Sequence, residues 1–221
     1  DASATKRRCG VTASLETCLL DPERDAMGLI DLFEHVFGAT VSPAMWYWKY
    51  VPPWATRYYC WVARDGERVV GYVGAVPLRG IVDGREMPFF QLADAMVHPE
   101  YRRKYDYFDL GAKHLLEDLQ QSEPRQLVYG FSEHRAFLWL KRRGYCDLIE
   151  KATTNYVRAE HAAPGRFTFE DWQWTDSHLD ACWSENSDRV PIGLIRDGQY
   201  VRWRYGDHPV NGYRLIAVLD R

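Results

Sequence analysis

The 221 residues, 46% of them hydrophobic, are enough for one sizeable core, or for one core and part of another. A net charge of −3 offers no basic field for nucleic acid or membranes, and no apolar run approaches the roughly 18 residues of a membrane span. The five cysteines are widely spaced, without a C-x-x-C or zinc-knuckle pair. We therefore expect reduced thiols, no metal site and a cytoplasmic protein.

The first half of the chain predicts a strand, a helix and several antiparallel strands. The stretch VTASLETCLL favours a strand, and residues 22–38 favour a helix that ends at a glycine. The apolar positions of this helix are Met27, Ile30, Leu32, Phe33, Val36 and Phe37. Asp65-Gly66 and Asp83-Gly84 mark hairpin turns between strand-like runs, and REMPFFQLADAMV predicts a further strand.

A basic turn follows that strand. The adjacent cations Arg102, Arg103 and Lys104 lie where the chain changes direction. The apolar positions after the turn recur at helical spacing, at Phe108, Ala112, Leu115, Leu116 and Leu119. The spacing predicts a helix that packs one face on the sheet.

The next segments complete the predicted domain. RQLVYGFS favours a strand, HRAFLWLKRRGY a helix capped near Gly144, and CDLIEKATTNYVR a returning strand. The fold class is therefore α/β or α+β, with a mixed, mostly antiparallel sheet flanked by helices. This domain is assigned to residues 11–160, and EHAAPGR, 160–166, is interpreted as a linker.

Residues 166–221 contain what we interpret as the start of a second, similar unit. Trp48-Lys49-Tyr50 matches Trp203-Arg204-Tyr205, and after each motif a proline precedes a tyrosine that opens an apolar strand. The alternative is chance similarity. A partial copy cannot close a core alone, so it must dock on the first domain, pair with another chain or continue in a longer protein.

Three stretches resemble the GNAT superfamily of acyl-CoA-dependent N-acyltransferases. DAMVHPEYRRK is similar to that family's fourth strand and pyrophosphate loop, and YGFSEHRAFLWLKRRGY to its fifth strand and following helix. ERVVGYVGAVPL is similar to the second and third strands with their hairpin, and the repeated motif to tandem members of the family. The resemblance covers residues 11–158 and implies a GNAT-like fold, acetyl-CoA or another acyl-CoA as co-substrate, and an amine as acceptor.

The resemblance places the pyrophosphate of coenzyme A at the basic turn. A helix N-terminus offers free N–H groups and a positive dipole end, and cations there add charge-assisted hydrogen bonds. A backbone N–H near the strand end would stabilise the thioester oxygen as it becomes negative. The alternative is a turn whose cations are only solvated. The implied cofactor-binding residues are Met96, Val97, Arg102, Arg103, Lys104, Tyr105, Asp106 and Tyr107.

Several positions depart from the family pattern. The small residues of the family's loop fall on Tyr105 and Tyr107, and its frequent tyrosine acid falls on Leu140. A carboxylate sometimes present on the strand falls on Gln91, and the asparagine after the fifth strand falls on Glu133. Leucine cannot donate a proton, and tyrosine either crowds the phosphates or donates its hydroxyl to them. The alternative function is therefore a GNAT-like binding or structural module without catalysis.

The attacking amine must lose a proton, and three residues are candidate bases. Glu133 is the first, because it follows the fifth strand where that strand parts from the fourth in the family; its alternative role is in the first turn of a helix. Asp94 alternates with apolar neighbours, so it can point away from the cofactor face. His134 is the third candidate base; the alternative interpretation is that it is an exposed residue at the start of a helix. His98 precedes a proline and is interpreted as shaping the turn.

An aromatic cluster lies near the segment that often lines the acceptor site in the family. Its members are Trp46, Trp48, Trp54, Tyr58 and Tyr59. They predict core packing and a domain interface, or alternatively an apolar acceptor pocket. The expected partner is a small-molecule or protein amine, without nucleic acid or membrane, and a homodimer or a missing second domain would complete the partial copy.

Overall fold

The computed structural model describes residues 9–12, 15–103, 111–151, 167–175 and 177–220. The chain forms two compact units, the first made of Asp1–Gly130 with Trp174–Tyr213 and the second of Phe131–Gln173 with Arg214–Arg221. The interpreted linker lies outside the described residues, so the division into 11–160 and 166–221 stays a prediction.

In chain order, the helices and strands are β1 (Cys9–Thr12), β2 (Leu15–Leu19), α1 (Pro22–Phe37), α2 (Pro43–Tyr50), β3 (Tyr59–Asp65), β4 (Arg68–Val82), β5 (Arg85–Val97), α3 (Lys113–Ser122), β6 (Leu127–Gly130), α4 (His134–Arg142), β7 (Phe167–Asp171), α5 (His178–Asn186), β8 (Ile192–Leu194), α6 (Gly198–Val201) and β9 (Ile216–Asp220). A π-helical turn, Arg202–Gly206, follows α6.

The first unit is built on a seven-stranded sheet. Its order is β1-β2-β3-β4-β5-β6, and β8 pairs with the far end of β4. Every pairing is antiparallel except that of β5 with β6. The prediction of a mixed, mostly antiparallel sheet flanked by helices is therefore confirmed, and the glycines of both predicted hairpin turns have positive φ.

The two faces of the sheet bury two different sets of side chains. One face packs against α1 and α2 through residues such as Tyr72, Val76 and Phe89. The opposite face buries Phe90 with Leu115 of α3. The alternation of the strands separates the faces, because successive side chains point to opposite sides.

Helix α1 forms as predicted. Asp21 accepts from the N–H groups of Glu23 and Arg24, Pro22 opens the helix, and Gly38 ends it with φ 66°. Its buried apolar side chains are Leu29 and Leu32, with Phe33 and Val36 packed beside them.

The spacing of the six apolar residues in this segment suggests that they share one helical face, and for two of them this is wrong. Met27 is 75% exposed and Phe37 is 51% exposed. The buried stripe runs through positions 29, 32, 33 and 36, and the turn of 3.6 residues carries positions 27 and 37 off that stripe.

Helix α2 was not predicted from the sequence. Ser42 accepts from the N–H of Met45, and Pro43 occupies the first turn. Trp46, Trp48 and Tyr50 of this helix are buried in the core. This burial favours the packing interpretation of the aromatic cluster.

The outer edge of β4 is covered by two segments far apart in the chain. Strand β3 pairs with β4 up to Ala75, and β8 pairs with it from Gly80 onward. Between them the indole N–H of Trp54 donates to the carbonyl of Pro77 at 2.9 Å. The N–H of Ile195 donates to the carbonyl of Arg79 at 3.0 Å. The backbone hydrogen bonding along this edge of β4 is thus completed by the side chain of Trp54 and by the loop at Ile195, which is distant in the chain.

The repeated motif brings its two copies into contact. The indole N–H of Trp48 donates to the carbonyl of Trp203 at 2.7 Å, and the indole N–H of Trp203 donates to the carbonyl of Trp48 at 2.9 Å. Reciprocal contacts of this kind arise when like elements pair about a two-fold axis. A second complete domain stays a prediction.

The second unit contains α4 and a two-stranded sheet. Helix α4 is followed by Gly144 at φ 74°, as predicted, and β7 pairs antiparallel with β9. Residues 146–151, in the segment predicted as a returning strand, form no strand, and its remainder lies outside the described residues.

Four cysteines carry free thiols in the part of the chain that the structure describes. They are Cys18, Cys60, Cys146 and Cys182. None of the helices in the described ranges is both long and apolar enough to cross a bilayer.

Candidate active site

The sheet opens between its two parallel strands. β6 pairs with β5 only from Phe89 to Leu92, whereas β5 continues to Val97. Among the described residues no strand covers this side of residues 93–97. The backbone groups there are left for a ligand or a loop, and the carboxyl ends of parallel strands are a common place for ligand sites.

A β-bulge lies at this opening. Tyr72 pairs with Met96 and Gly74 with Ala93, so Asp94 and Ala95 together lie opposite one residue of β4. Asp94 has φ 52°, a left-handed conformation that is unfavourable for a residue with a side chain. Strain of this kind costs about 1–3 kcal/mol and occurs often at functional sites.

The Asp94 carboxylate is fixed through one of its oxygens. Oδ2 accepts from Lys49 Nζ at 2.6 Å and from the Tyr50 hydroxyl at 2.8 Å. The side chain of Asp94 is 20% exposed and that of Lys49 is 30% exposed. Both of these bonds are made to Oδ2, and among the described residues none donates to Oδ1 of Asp94.

Tyr50 is a neutral donor to this carboxylate. Burial, followed by the charge of Asp94, raises the pKa of Tyr50 well above its ordinary value. The neighbouring Tyr72 hydroxyl donates to the Cys60 thiol at 3.1 Å. A Cβ at Gly74 would lie 2.1 Å from the Tyr72 hydroxyl and 2.7 Å from the Tyr50 ring, so only glycine lets both phenols cross the strand here.

The end of β5 has a defined backbone direction. His98 donates its N–H to the carbonyl of Val70 on β4 at 2.8 Å. Because backbone groups alternate along a strand, Met96 faces β4 and Val97 faces the opening. Arg102 donates its Nε–H to the carbonyl of Val97 at 3.0 Å. The other N–H donors of its guanidinium lie on the two terminal nitrogens.

The other predicted cofactor-binding residues are only partly described. Arg103 is exposed in the turn. Lys104, Tyr105, Asp106 and Tyr107 lie outside the described residues, so their roles stay predictions. Gly111 at the start of α3 has φ 144°, and a Cβ there would lie 3.1 Å from Val73, which shows that the helix start approaches the sheet closely.

The two remaining candidate bases belong to the second unit. Glu133 precedes α4, is exposed, and makes no side-chain hydrogen bond that caps the helix. His134 is exposed in the first turn. The structure brings Asp94 together with Lys49 and Tyr50, whereas the roles of Glu133 and His134 stay predictions.

The sequence did not indicate either partner of Asp94. Lys49 and Tyr50 were recognised only as parts of a repeated motif. The sequence signal at Lys49 and Tyr50 was the Trp-cation-Tyr motif, which recurs near residue 203. A recurring motif does not show which strand its side chains contact. Across the described ranges, no group of three or more His, Cys, Asp or Glu side chains is placed to hold a metal ion.

The model of the acetyltransferase (GNAT) domain family matches residues 22–145. This range is more than half of the chain and includes α1, the bulge at Asp94, the opening of the sheet and the basic turn. The chain therefore belongs to the GNAT family of acyltransferases.

Solved structures share the fold at low sequence identity. Saccharomyces cerevisiae N-myristoyltransferase with bound myristoyl-CoA superimposes with a TM-score of 0.58 at 13% identity, over 91% of this chain and 52% of that chain. An Enterococcus faecalis protein of unknown function, described as a probable N-acyltransferase, gives a TM-score of 0.65 at 14% identity, over 94% of this chain and 52% of that chain. The chain thus spans about half the length of both. No curated protein matches its sequence.

Proposed function

We propose that the protein transfers an acyl group from acyl-CoA to a primary amine at the opening between β5 and β6. The observation that supports this most strongly is Asp94, a strained carboxylate at that opening whose Oδ2 is held by Lys49 and Tyr50. A GNAT fold supplies the context, and the second carboxylate oxygen, Oδ1, would accept the proton.

The proposed reaction is direct attack of the amine nitrogen on the thioester carbon. The new C–N bond forms while Asp94 Oδ1 takes a proton from the nitrogen, directly or through one water. The negative charge that develops on the thioester oxygen is stabilised by the N–H of Val97, which faces the opening. The C–S bond then breaks, and the proton is delivered to the thiolate, giving an amide and free coenzyme A.

The co-substrate would be held by its pyrophosphate at the basic turn. Arg102 and Arg103 are both exposed there, close in sequence to the start of α3. The S. cerevisiae structure binds myristoyl-CoA, which supports an acyl-CoA as donor. The proposal covers acetyl and longer acyl groups, and acceptors that are small amines or amines of proteins.

Asp94→Asn tests the base. Asparagine tolerates the left-handed conformation and keeps an oxygen for Tyr50, but it cannot take a proton. We expect kcat/KM to fall by about 10²- to 10⁴-fold, measured as coenzyme A release, with acyl-CoA affinity retained in calorimetry.

Glu133→Gln is the matched control for that variant. It is expected to keep the turnover, because Asp94 carries the proton. Loss of turnover in Glu133→Gln with full turnover in Asp94→Asn would instead assign the base to Glu133. Arg103→Ala should weaken acyl-CoA binding while leaving kcat little changed.

The alternative is a GNAT-like module that binds without catalysis. The observation that favours it is Leu140, a half-buried side chain of α4 at the position where the family often has a tyrosine acid. A saturating acyl-CoA at about 100 times its dissociation constant adds about 2.7 kcal/mol to the free energy of unfolding. Stabilisation without release of coenzyme A in the presence of varied amines would favour this alternative.

A further inference from the structure

Helix α2 ends with a backbone carbonyl that the helix itself cannot satisfy. The carbonyl of Tyr47 accepts from the N–H of Val51 at 2.9 Å. The carbonyl of Trp48 would accept from the residue four positions later, which is Pro52 and has no N–H. This unsatisfied acceptor lies in the turn that carries Lys49 and Tyr50.

Trp203 supplies the missing donor. Its indole N–H lies 2.9 Å from the carbonyl of Trp48, in a buried environment. The reciprocal bond from Trp48 to the carbonyl of Trp203 measures 2.7 Å, and the two rings stack with centroids 5.4 Å apart and planes at 24°. The last turn of α2 is thus held from outside the helix by a residue beyond the range that the family model matches.

We infer that Trp203 is a positioning residue for the Asp94 carboxylate. By fixing the carbonyl of Trp48 it fixes the turn from which Lys49 Nζ and the Tyr50 hydroxyl reach Asp94 Oδ2. The role in acyl transfer rests on the proposed function, because it acts through Asp94. The segment after α5 therefore serves the site as well as the core.

Trp54 provides a matched control in the same aromatic cluster. Its ring meets that of Trp203 at 5.1 Å, and its indole N–H also donates to a backbone carbonyl, that of Pro77, at 2.9 Å. That carbonyl belongs to β4 and not to α2. Trp54→Phe and Trp203→Phe therefore remove the same group and the same ring volume, but only the second releases the turn that holds Lys49 and Tyr50.

The test compares Trp54→Phe and Trp203→Phe in the full chain, with two readouts that do not depend on enzymatic activity. The first is the ¹³C NMR chemical shift of the Asp94 carboxyl at neutral pH, with the signal assigned through Asp94→Asn. The second is the rate at which acetic anhydride labels the Lys49 amine, followed by mass spectrometry. A third readout is kcat/KM with acetyl-CoA.

In Trp203→Phe we expect the hydrogen bonds from Lys49 Nζ and the Tyr50 hydroxyl to Asp94 Oδ2 to weaken. The ¹³C chemical shift of the Asp94 carboxyl at neutral pH should therefore change, because its hydrogen-bond donors move away. Lys49 should be labelled several-fold faster, and kcat/KM should fall several-fold. Trp54→Phe should leave all three at the wild-type values.

Two results would overturn the inference: an unchanged ¹³C shift of Asp94 and unchanged Lys49 labelling in Trp203→Phe, or failure of that variant to fold. A wild-type protein that releases no coenzyme A from any acyl-CoA would reject the proposed function. The positioning of Asp94 would still stand if both activity-independent readouts responded to Trp203→Phe and not to Trp54→Phe.

Discussion

His98, next to the basic turn, is a buried residue whose charge state is set by its neighbours. Its side chain is 3% exposed, and Arg68 Nη2 lies 2.8 Å from its Nε2. Burial, followed by the charge of Arg68, lowers the pKa of His98 below its ordinary value of 6.5. The sequence predicted that this residue shapes the turn, and its N–H bond to Val70 is consistent with that role.

A pH dependence of stability follows from this shift. The unfolded chain binds a proton at His98 more readily than the folded chain, so the contribution to stability is present above pH 6.5 and is lost as the pH falls through the lowered pKa. We expect the free energy of unfolding, measured by urea titration, to fall from pH 7 to pH 5. His98→Gln should flatten this dependence, and an unchanged slope in that variant would contradict the assignment.

At the scale of elements, α1 is tied to the sheet by a buried ion pair. Arg64 of β3 donates to both carboxylate oxygens of Asp25, with Nη2 2.6 Å and 2.5 Å from them. The side chains are 2% and 1% exposed. Arg64 Nη1 also contacts the Cys18 thiol. A buried charge that loses its partner is strongly unfavourable, so this link makes α1 and β3 depend on each other.

Asp25→Ala is therefore expected to lower the free energy of unfolding by about 3–5 kcal/mol, because it removes the carboxylate that binds the buried Arg64 guanidinium and leaves only that of Glu16, 3.9 Å from Nη1. Arg24→Ala, which breaks the exposed pair of Arg24 with Glu67 at 3.4 Å, should cost at most about 1 kcal/mol. Urea denaturation of both variants checks the difference. Equal losses in the two variants would show that the buried pair carries no special weight.

The elements that could be predicted are those with local signals. Helix α1 has a capping aspartate, a proline and a terminal glycine, and the hairpin turns have Asp-Gly dipeptides. Helix α2 escaped prediction because its aromatic and β-strand-favouring residues outweigh the capping signal of Ser42 and Pro43. Tertiary burial of Trp46, Trp48 and Tyr50 stabilises this helix where propensity does not.

The candidate site was predictable only in part, for a similar reason. The cationic turn is visible as a run of residues, and Asp94 could be proposed from its residue type. Its left-handed conformation has no sequence signal, because the bulge results from the register between β4 and β5. The contacts with Lys49 and Tyr50 join residues more than forty positions apart, which periodicity cannot reveal.

At the scale of the whole molecule, the segment after α5 completes the first unit. Arg79 Nη2 lies 2.6 Å from both carboxylate oxygens of Asp197, and Asp197 also accepts from the N–H of Tyr200 at 3.0 Å as the N-cap of α6. The guanidinium of Arg79 lies over the Trp54 ring at 5.1 Å. One carboxylate thus links β4 to the start of α6.

Asp197→Ala should lower the free energy of unfolding by about 2 kcal/mol or more, since it removes both the cap and the partner of a partly buried cation. Asp197→Asn keeps a capping oxygen and loses only the charge, so about half of that loss is expected. Urea denaturation checks the order of the two variants. An Asn variant as unstable as the Ala variant would show that the cap contributes nothing.

The outer edge of β4, which is covered by segments far apart in the chain, also affects how the protein folds during synthesis. The far half of that edge is covered by residues made about a hundred positions later, and a ribosome that adds about 5–20 residues per second needs several seconds to reach them. During that interval the strand presents unpaired amides and carbonyls next to exposed tryptophans, which is a hazard for association between nascent chains. Chaperone dependence of expression should therefore be governed by the emergence of β8 from the exit tunnel.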